Sequence, residues 1–239
     1  GRSGHSGLVF DKKMWVFGGY DNNTSYFEDI MSSTEGNWDN KTTKLTATIT
    51  ITKSDENETL ESATGGLSVF LGPVKQFKIE NGTNAGIYTI EKIDSDKKIK
   101  IDETVSAFIS GETSNITLSL LQPSPRNEHI SLSFEGKMWV IGGKNASTNL
   151  ADVWSSSTGL GWDNQTLTGT PPTARSGHAG VIYNGKMWVF GGQSGNGWRN
   201  DVYSSSDGAK WEKEADAGWD NRSGHAAVVY DNKIWVMGG

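Results

Sequence analysis

The chain has 239 residues, with 28 acidic against 22 basic side chains, a net charge of −6 and no cysteine. The acidic balance excludes a basic nucleic-acid footprint, and the absence of cysteine excludes disulfides, thiolate metal sites and thiol nucleophiles. No apolar run is long enough to span a membrane, and no signal-peptide pattern stands at Gly1.

The first elements lie in Arg2–Gly19, RSGHSGLVFDKKMWVFGG, which reads as two short strands joined by a tight turn. The block returns at Arg126–Gly143, Arg175–Gly192 and Arg222–Gly239. Its clearest copy puts Val181–Tyr183 in one strand and Lys186–Phe190 in the next, with Gly191-Gly192 stopping the second. Asn184-Gly185 between them fits a type I′ turn, in which both central residues need positive φ. In every copy an arginine precedes a histidine by three positions: Arg2/His5, Arg126/His129, Arg175/His178 and Arg222/His225. A tryptophan follows at each hairpin centre (Trp15, Trp139, Trp188, Trp235), and a glycine pair closes each block.

A second half follows three of the blocks. Asp29-Ile30-Met31-Ser32-Ser33 matches Asp152–Ser156 and Asp201–Ser205, and each is followed by a tryptophan, Trp38, Trp162 or Trp211. We read a third strand, a turn and a fourth strand opening on tryptophan. Four antiparallel strands per repeat, with histidines 49 and 47 residues apart in the later copies, describe a propeller blade. Such a sheet buries its faces only by stacking on its neighbours.

The interval from His5 to His129 is 124 residues, so the first repeat carries an insertion of about 75. The insert has its own strand signals. Leu45–Thr52 alternates with period two, and Leu67–Leu71, Gln76–Glu80, Gly86–Ile93, Lys98–Asp102 and Asn115–Leu121 follow. Asp94-Ser95-Asp96 suits a hairpin turn, and Glu58–Ala63 has the composition of a single helical turn. The segment reads as a small β-barrel or sandwich.

The glycine pair after a hydrophobic second strand, with the downstream tryptophan, resembles the Kelch repeat. The RSGH and KMWVFGG wording is similar to secreted or microbial propellers of the galactose-oxidase-like kind. The resemblance covers residues 1–41 and about 120–239. It implies an all-β fold, a partial Kelch-type β-propeller of three four-stranded blades and the start of a fourth. The expected divisions are 1–42 for the first blade, 43–122 for the insert, 123–173 and 174–220 for two more blades, and 221–239 for the start of the next. Kelch propellers usually have six or seven blades, and this chain starts and ends inside the motif. It therefore reads as part of a longer protein, or as a copy that joins others to complete a ring.

Blade topology puts the loops between strands two and three on the same face as the connections between blades, where the insert also leaves the ring. Trp198 and Arg199 fall in the first kind of loop, Gln193–Asn200, and Trp219 and Asp220 in the second. Aromatic platforms with adjacent polar groups suit stacking on a sugar or clamping a peptide. The same tryptophans also suit packing of the loops or the insert, the commoner role of a tryptophan near a repeat core. The four histidines occupy equivalent places and are spread around the ring, whereas metal ligands must converge. A structural hydrogen bond for each Arg and His is expected instead, with Asp29, Asp152 and Asp201 anchoring the third strand. The Asp-box-like Ser204–Trp211 has the wrong spacing, and Asp94-Ser95-Asp96 lacks the glycine and helices of a calcium loop. Galactose oxidase chemistry requires a cysteine-crosslinked tyrosine. No cofactor or metal is expected.

Nine of the 17 asparagines stand in N-x-[ST] sequons: Asn22, Asn23, Asn40, Asn57, Asn81, Asn115, Asn145, Asn164 and Asn221. That exceeds the roughly three or four expected by chance and points to a glycosylated, extracellular protein, with Asn221 fortuitous inside the motif. The function expected is a non-enzymatic module. It would bind protein or glycan, or self-associate in a surface assembly, through the loop face. The alternatives are a carbohydrate-active enzyme with its catalytic residues in other blades and an intracellular Kelch adaptor.

Overall fold

The computed structural model describes residues 1–21, 25–27, 29–35, 37–40, 44–54, 57–62, 76–79, 86–95, 98–101, 113–195 and 197–239. Across 40–118 it describes the backbone only, apart from residues 77–79. The described residues are all strand, turn and irregular backbone, in two compact units. One unit is Gly1–Lys41, Pro123–Ser157 and Asn164–Gly239; the other is Thr42–Gln122 with Thr158–Asp163.

The first unit is a series of antiparallel sheets. β1 (Ser6–Phe10), β2 (Lys13–Phe17), β3 (Ile30–Thr34) and β4 (Asn37–Asn40) form one sheet in that order. In the second unit, β5 (Lys44–Ser54), β6 (Asn57–Ser62), β7 (Gln76–Ile79), β8 (Gly86–Ser95), β9 (Lys98–Ile101) and β10 (Thr113–Leu120) close a barrel. The barrel order is β10-β5-β6-β9-β8-β7, sealed where Leu118 pairs Ile79 and Leu120 pairs Phe77. The expected helical turn at Glu58–Ala63 is instead strand β6 up to Ser62, while Ala63 lies outside the described residues. Glu and Leu favour a helix in isolation, but ladders to β5 and β9 on both sides decide the conformation. The expected strand Leu67–Leu71 also lies outside the described residues.

The sheet pattern then resumes. β11 (Ile130–Phe134), β12 (Lys137–Ile141), β13 (Val153–Ser156) and β14 (Asp163–Asn164) form a second four-stranded sheet. A third contains β15 (Thr168–Gly169), β16 (Ala179–Tyr183), β17 (Lys186–Ser194), β18 (Gly197–Ser205) and β19 (Lys210–Lys213). Its order is β15-β19-β18-β17-β16, because Thr168–Gly169 from the preceding connection adds in parallel beside β19. β20 (Ala226–Tyr230) and β21 (Lys233–Met237) pair as a hairpin.

The repeat is exact in register at the tryptophans. Trp15 pairs Leu8, Trp139 pairs Leu132, Trp188 pairs Val181 and Trp235 pairs Val228. Each indole donates to the carbonyl five residues before it, of Phe10, Phe134, Tyr183 or Tyr230, at 2.9–3.1 Å. The turns have left-handed backbone throughout, including Asn184 (φ 49°) and Gly185 (φ 69°). Burial of the four rings differs: Trp15 and Trp139 are 3% exposed, whereas Trp235 is 47% exposed. A Cβ added at Gly208 would overlap the Trp139 ring, so one sheet's third-to-fourth-strand turn caps the previous sheet's tryptophan. Leu132, Phe134, Trp139, Met187, Val189, Tyr203 and Trp211 make a core shared by the second and third sheets.

Candidate functional site

The motif arginines, aspartates and glycines build one clasp per repeat. Arg126 donates Nη1 to Asp152 Oδ1 (2.6 Å) and Nη2 to Oδ2 (2.8 Å), and Nη1 also reaches the Gly142 carbonyl (2.9 Å). Arg175 repeats this with Asp201 (2.6 and 2.9 Å) and Gly191 (2.7 Å). Arg2 does so with Asp29 and Gly18. Planar, two-point pairing of this kind satisfies a buried guanidinium. Burial pushes the Asp201 carboxyl up, but the Arg175 guanidinium outweighs it and holds the group below its ordinary value.

The clasp also links successive repeats. Gly19, Gly143 and Gly192 donate their N–H to the carbonyls of Arg126, Arg175 and Arg222 in the following repeat, at 2.8–2.9 Å. The first glycine of each pair lies under the next repeat's imidazole. A Cβ on Gly142 would come within 3.0 Å of His178 Cε1, and one on Gly191 within 3.1 Å of His225 Cε1. The expectation of a hydrogen bond for each histidine is corrected here. Both ring nitrogens of His129, His178 and His225 are buried without a well-formed hydrogen bond, although the Ile141 and Phe190 carbonyls lie near His178 and His225. These rings serve as packing groups. Burial, and then the adjacent Arg126 or Arg175, lowers the pKa of His129 and His178 to about 3.

Above each clasp sits a rung that repeats in geometry but not in chemistry. Its backbone pairs are Ser3–Tyr20–Tyr26, Asn127–Lys144–Asn149 and Ser176–Gln193–Trp198. In the third repeat the rung belongs to a longer hairpin. β17 does not stop at Gly191-Gly192 but passes a bulge between Phe190 and Gly192 and continues to Ser194, so Trp198 and Arg199 lie on β18 rather than in a loop.

The rungs border an open cleft of about 800 Å³ within this unit. Tyr26, Lys144, Asn149, Thr173, Gln193 and Ser194 are among its lining residues. The Tyr20 and Tyr26 rings stand 4.9 Å apart at one side. Asn149 Nδ2 donates to the Gln193 carbonyl (3.1 Å), and the Thr173 and Ser194 hydroxyls share a hydrogen bond of 2.8 Å. The clasp fixes this floor, since Arg175 also donates to Thr173 O (3.1 Å) and Thr173 Oγ1 (3.2 Å).

Trp198, across the ladder from the lining residue Gln193, is 61% exposed. Arg199 donates Nη2 to the Ser194 carbonyl (3.2 Å), and its own carbonyl accepts from Arg222 N–H (3.0 Å). Trp219 instead packs on the cluster of Val181, Phe190 and Val202, with its ring 6.4 Å from that of Phe190. The Arg222 guanidinium lies 5.9 Å from the Trp219 ring, and Asp220 is exposed. Arg199 and Trp219 thus meet the same strand end, while Trp198 faces solvent. The Lys144, Asn149 and Gln193 positions escaped sequence reasoning. A signal was present for Lys144 and Gln193, which directly follow a glycine pair at a place where the copies disagree (Tyr20, Lys144, Gln193).

The sequence model of the KLHDC2/KLHL20/DRC7 Kelch-repeats domain matches residues 92–239. The chain belongs to the Kelch-repeat family. No curated protein matches it. Kelch repeats generally mediate protein–protein binding. In the Kelch frame, the double glycines, arginines and aspartates hold the sheets together, and the rungs at the cleft are the positions left to vary.

Proposed function

We propose that the chain is a non-enzymatic, extracellular Kelch module, three blades and the start of a fourth, that binds a protein or carbohydrate through its loop face. The cleft bordered by the three rungs carries this reading. The repeated titratable groups support it: Arg126, Asp152, Arg175 and Asp201 are consumed in the clasps, and His129 and His178 are buried between repeats. Trp198 and Arg199 extend the binding surface beyond the cleft, Trp219 packs on Phe190 and Val202, and the exposed Asp220 adds a polar group next to it.

The extracellular part of the reading rests on the sequons. Asn145 and Asn164 are among the described residues, and Asn164 is exposed. Asn145 Oδ1 accepts from Ser147 and Thr148 N–H, both at 2.9 Å, and Asn145 lines the cleft. Asn22, Asn23 and Asn81 lie outside the described residues, as do the side chains of Asn40, Asn57 and Asn115. Expression through a secretory pathway followed by intact-mass analysis should show N-glycans, first at Asn164; an unmodified secreted chain would overturn the extracellular reading. For binding, a display library of peptides and an array of saccharides would be presented together to the wild-type chain and to Ser147→Trp, which fills the cleft mouth. Ligands retained by the wild type and lost by the variant support the loop face. Ligands retained equally by both place binding elsewhere.

A further inference from the structure

Resting on that loop-face reading, we infer that the cleft is a site for an uncharged oligosaccharide, with Trp198 and the Tyr20–Tyr26 pair as its stacking platforms. Positions that stay constant, such as Arg175 and Gly191, are explained by the clasp. The rung positions share backbone geometry yet change from Tyr20/Tyr26 to Lys144/Asn149 to Gln193/Trp198, which packing alone does not require.

The side chains that line the cleft have the chemistry of sugar recognition. Ser147, Asn149, Thr173 and Gln193 offer amides and hydroxyls, groups that both donate and accept, as sugar hydroxyls do. Few apolar atoms suit the dry centre of a protein interface. Tyr26 lines the cleft and the exposed Trp198 pairs with the lining residue Gln193, and aromatic rings are the groups that stack on the C–H surfaces of a pyranose.

Charge selects within the class. Lys144 is the one cation among the described lining residues, and Glu128 holds it at 2.6 Å. Glu128 occupies the place where the other three copies have Gly4, Gly177 and Gly224. It adopts φ +55°, a left-handed conformation that a glycine would take without strain. The second repeat therefore keeps a strained carboxylate at the position that neutralises the cleft's cation. That arrangement leaves the cleft without an unpaired cation among its described lining residues, Arg199 lying outside the lining with its guanidinium on the Ser194 carbonyl, and it fits a ligand without charge.

The test is an array of uncharged hexasaccharides (gluco-, xylo-, manno- and malto-series) beside oligogalacturonate and a random-peptide library, with hits measured by titration calorimetry. Binding of at least one uncharged series is expected, weakened tenfold or more by Gln193→Ala and by Trp198→Ala, with unchanged thermal midpoints. Glu128→Gly should raise the thermal midpoint and improve oligogalacturonate binding several-fold, because Lys144 loses its partner. Peptide binding sensitive to Gln193→Ala, with no uncharged saccharide bound, overturns the inference and leaves the loop-face reading standing. Saccharide binding indifferent to both substitutions overturns the two together. A Glu128→Gly variant that is less stable, or that leaves the preference for uncharged ligands intact, removes the charge argument.

Discussion

Asp201 shows how much one side chain carries. It takes two hydrogen bonds from Arg175, which is only 1% exposed and pairs with no other carboxylate among the described residues. Asp201→Ala strands that guanidinium and should cost about 3–5 kcal/mol, read as a lower urea midpoint at unchanged slope. Arg175→Lys should recover little of the pairing, since an ammonium cannot bridge both carboxylate oxygens and the Gly191 carbonyl together. The arginine, aspartate and glycine roles were legible in the sequence because identical residues recur at identical offsets. The histidine role was not. Recurrence marks a constrained position, but a buried imidazole packed on a glycine and one held by hydrogen bonds leave the same letter in the chain.

At the scale of the element, hairpins and turns set what fits between sheets. Gly208 has φ +76°, and a side chain there would drive into Trp139 of the preceding sheet. Gly208→Ala should therefore destabilise by roughly 3 kcal/mol or more, whereas Gly185→Ala, which has open space, should cost only about 1 kcal/mol for its positive φ. Equal losses in chemical denaturation would contradict the capping role of the Gly208 turn. The strands of the repeat were readable from alternation and turn residues. β6 was not, because its Glu and Leu content reflects local preference while its neighbours in the barrel dictate its state. The continuation of β17 beyond its glycines also escaped reading, since a bulge lets the ladder resume after a pair that elsewhere ends it.

At the scale of the whole molecule, the histidines buried between repeats make the fold sensitive to acid. His129 and His178 are neutral in the folded chain, with pKa values near 3, and ordinary, near 6.5, when unfolded. The unfolded chain thus binds more protons, so stability is full above about pH 6.5 and falls as pH drops toward 3. His129 and His178 together give a slope of about 2.7 kcal/mol per pH unit, to which the likewise lowered His225 adds, and urea unfolding across about pH 5.5 to 4 measures it. His178→Asn should take about 1.4 kcal/mol per pH unit off the slope whatever it does to stability at neutral pH. The cleft belongs to this scale as well. It is assembled from residues far apart in the chain, Tyr26, Lys144–Asn149 and Gln193–Gly195, and only the closure of successive repeats brings them together. Aromatic content drew the sequence reading toward Trp198 and Trp219, whereas the cleft itself is lined mostly by polar side chains, of which only Asn145 and Ser147 belong to a recognisable motif, a sequon.

The most direct measurement is backbone amide NMR on the isotope-labelled chain, titrated with the strongest ligand from the saccharide and peptide screens. Shifts concentrated at Lys144–Asn149 and Gln193–Arg199, with Ser204–Glu212 on the outer strands unmoved, are the predicted result. Shifts concentrated at Ser204–Glu212, with the rung residues silent, would contradict the loop-face site.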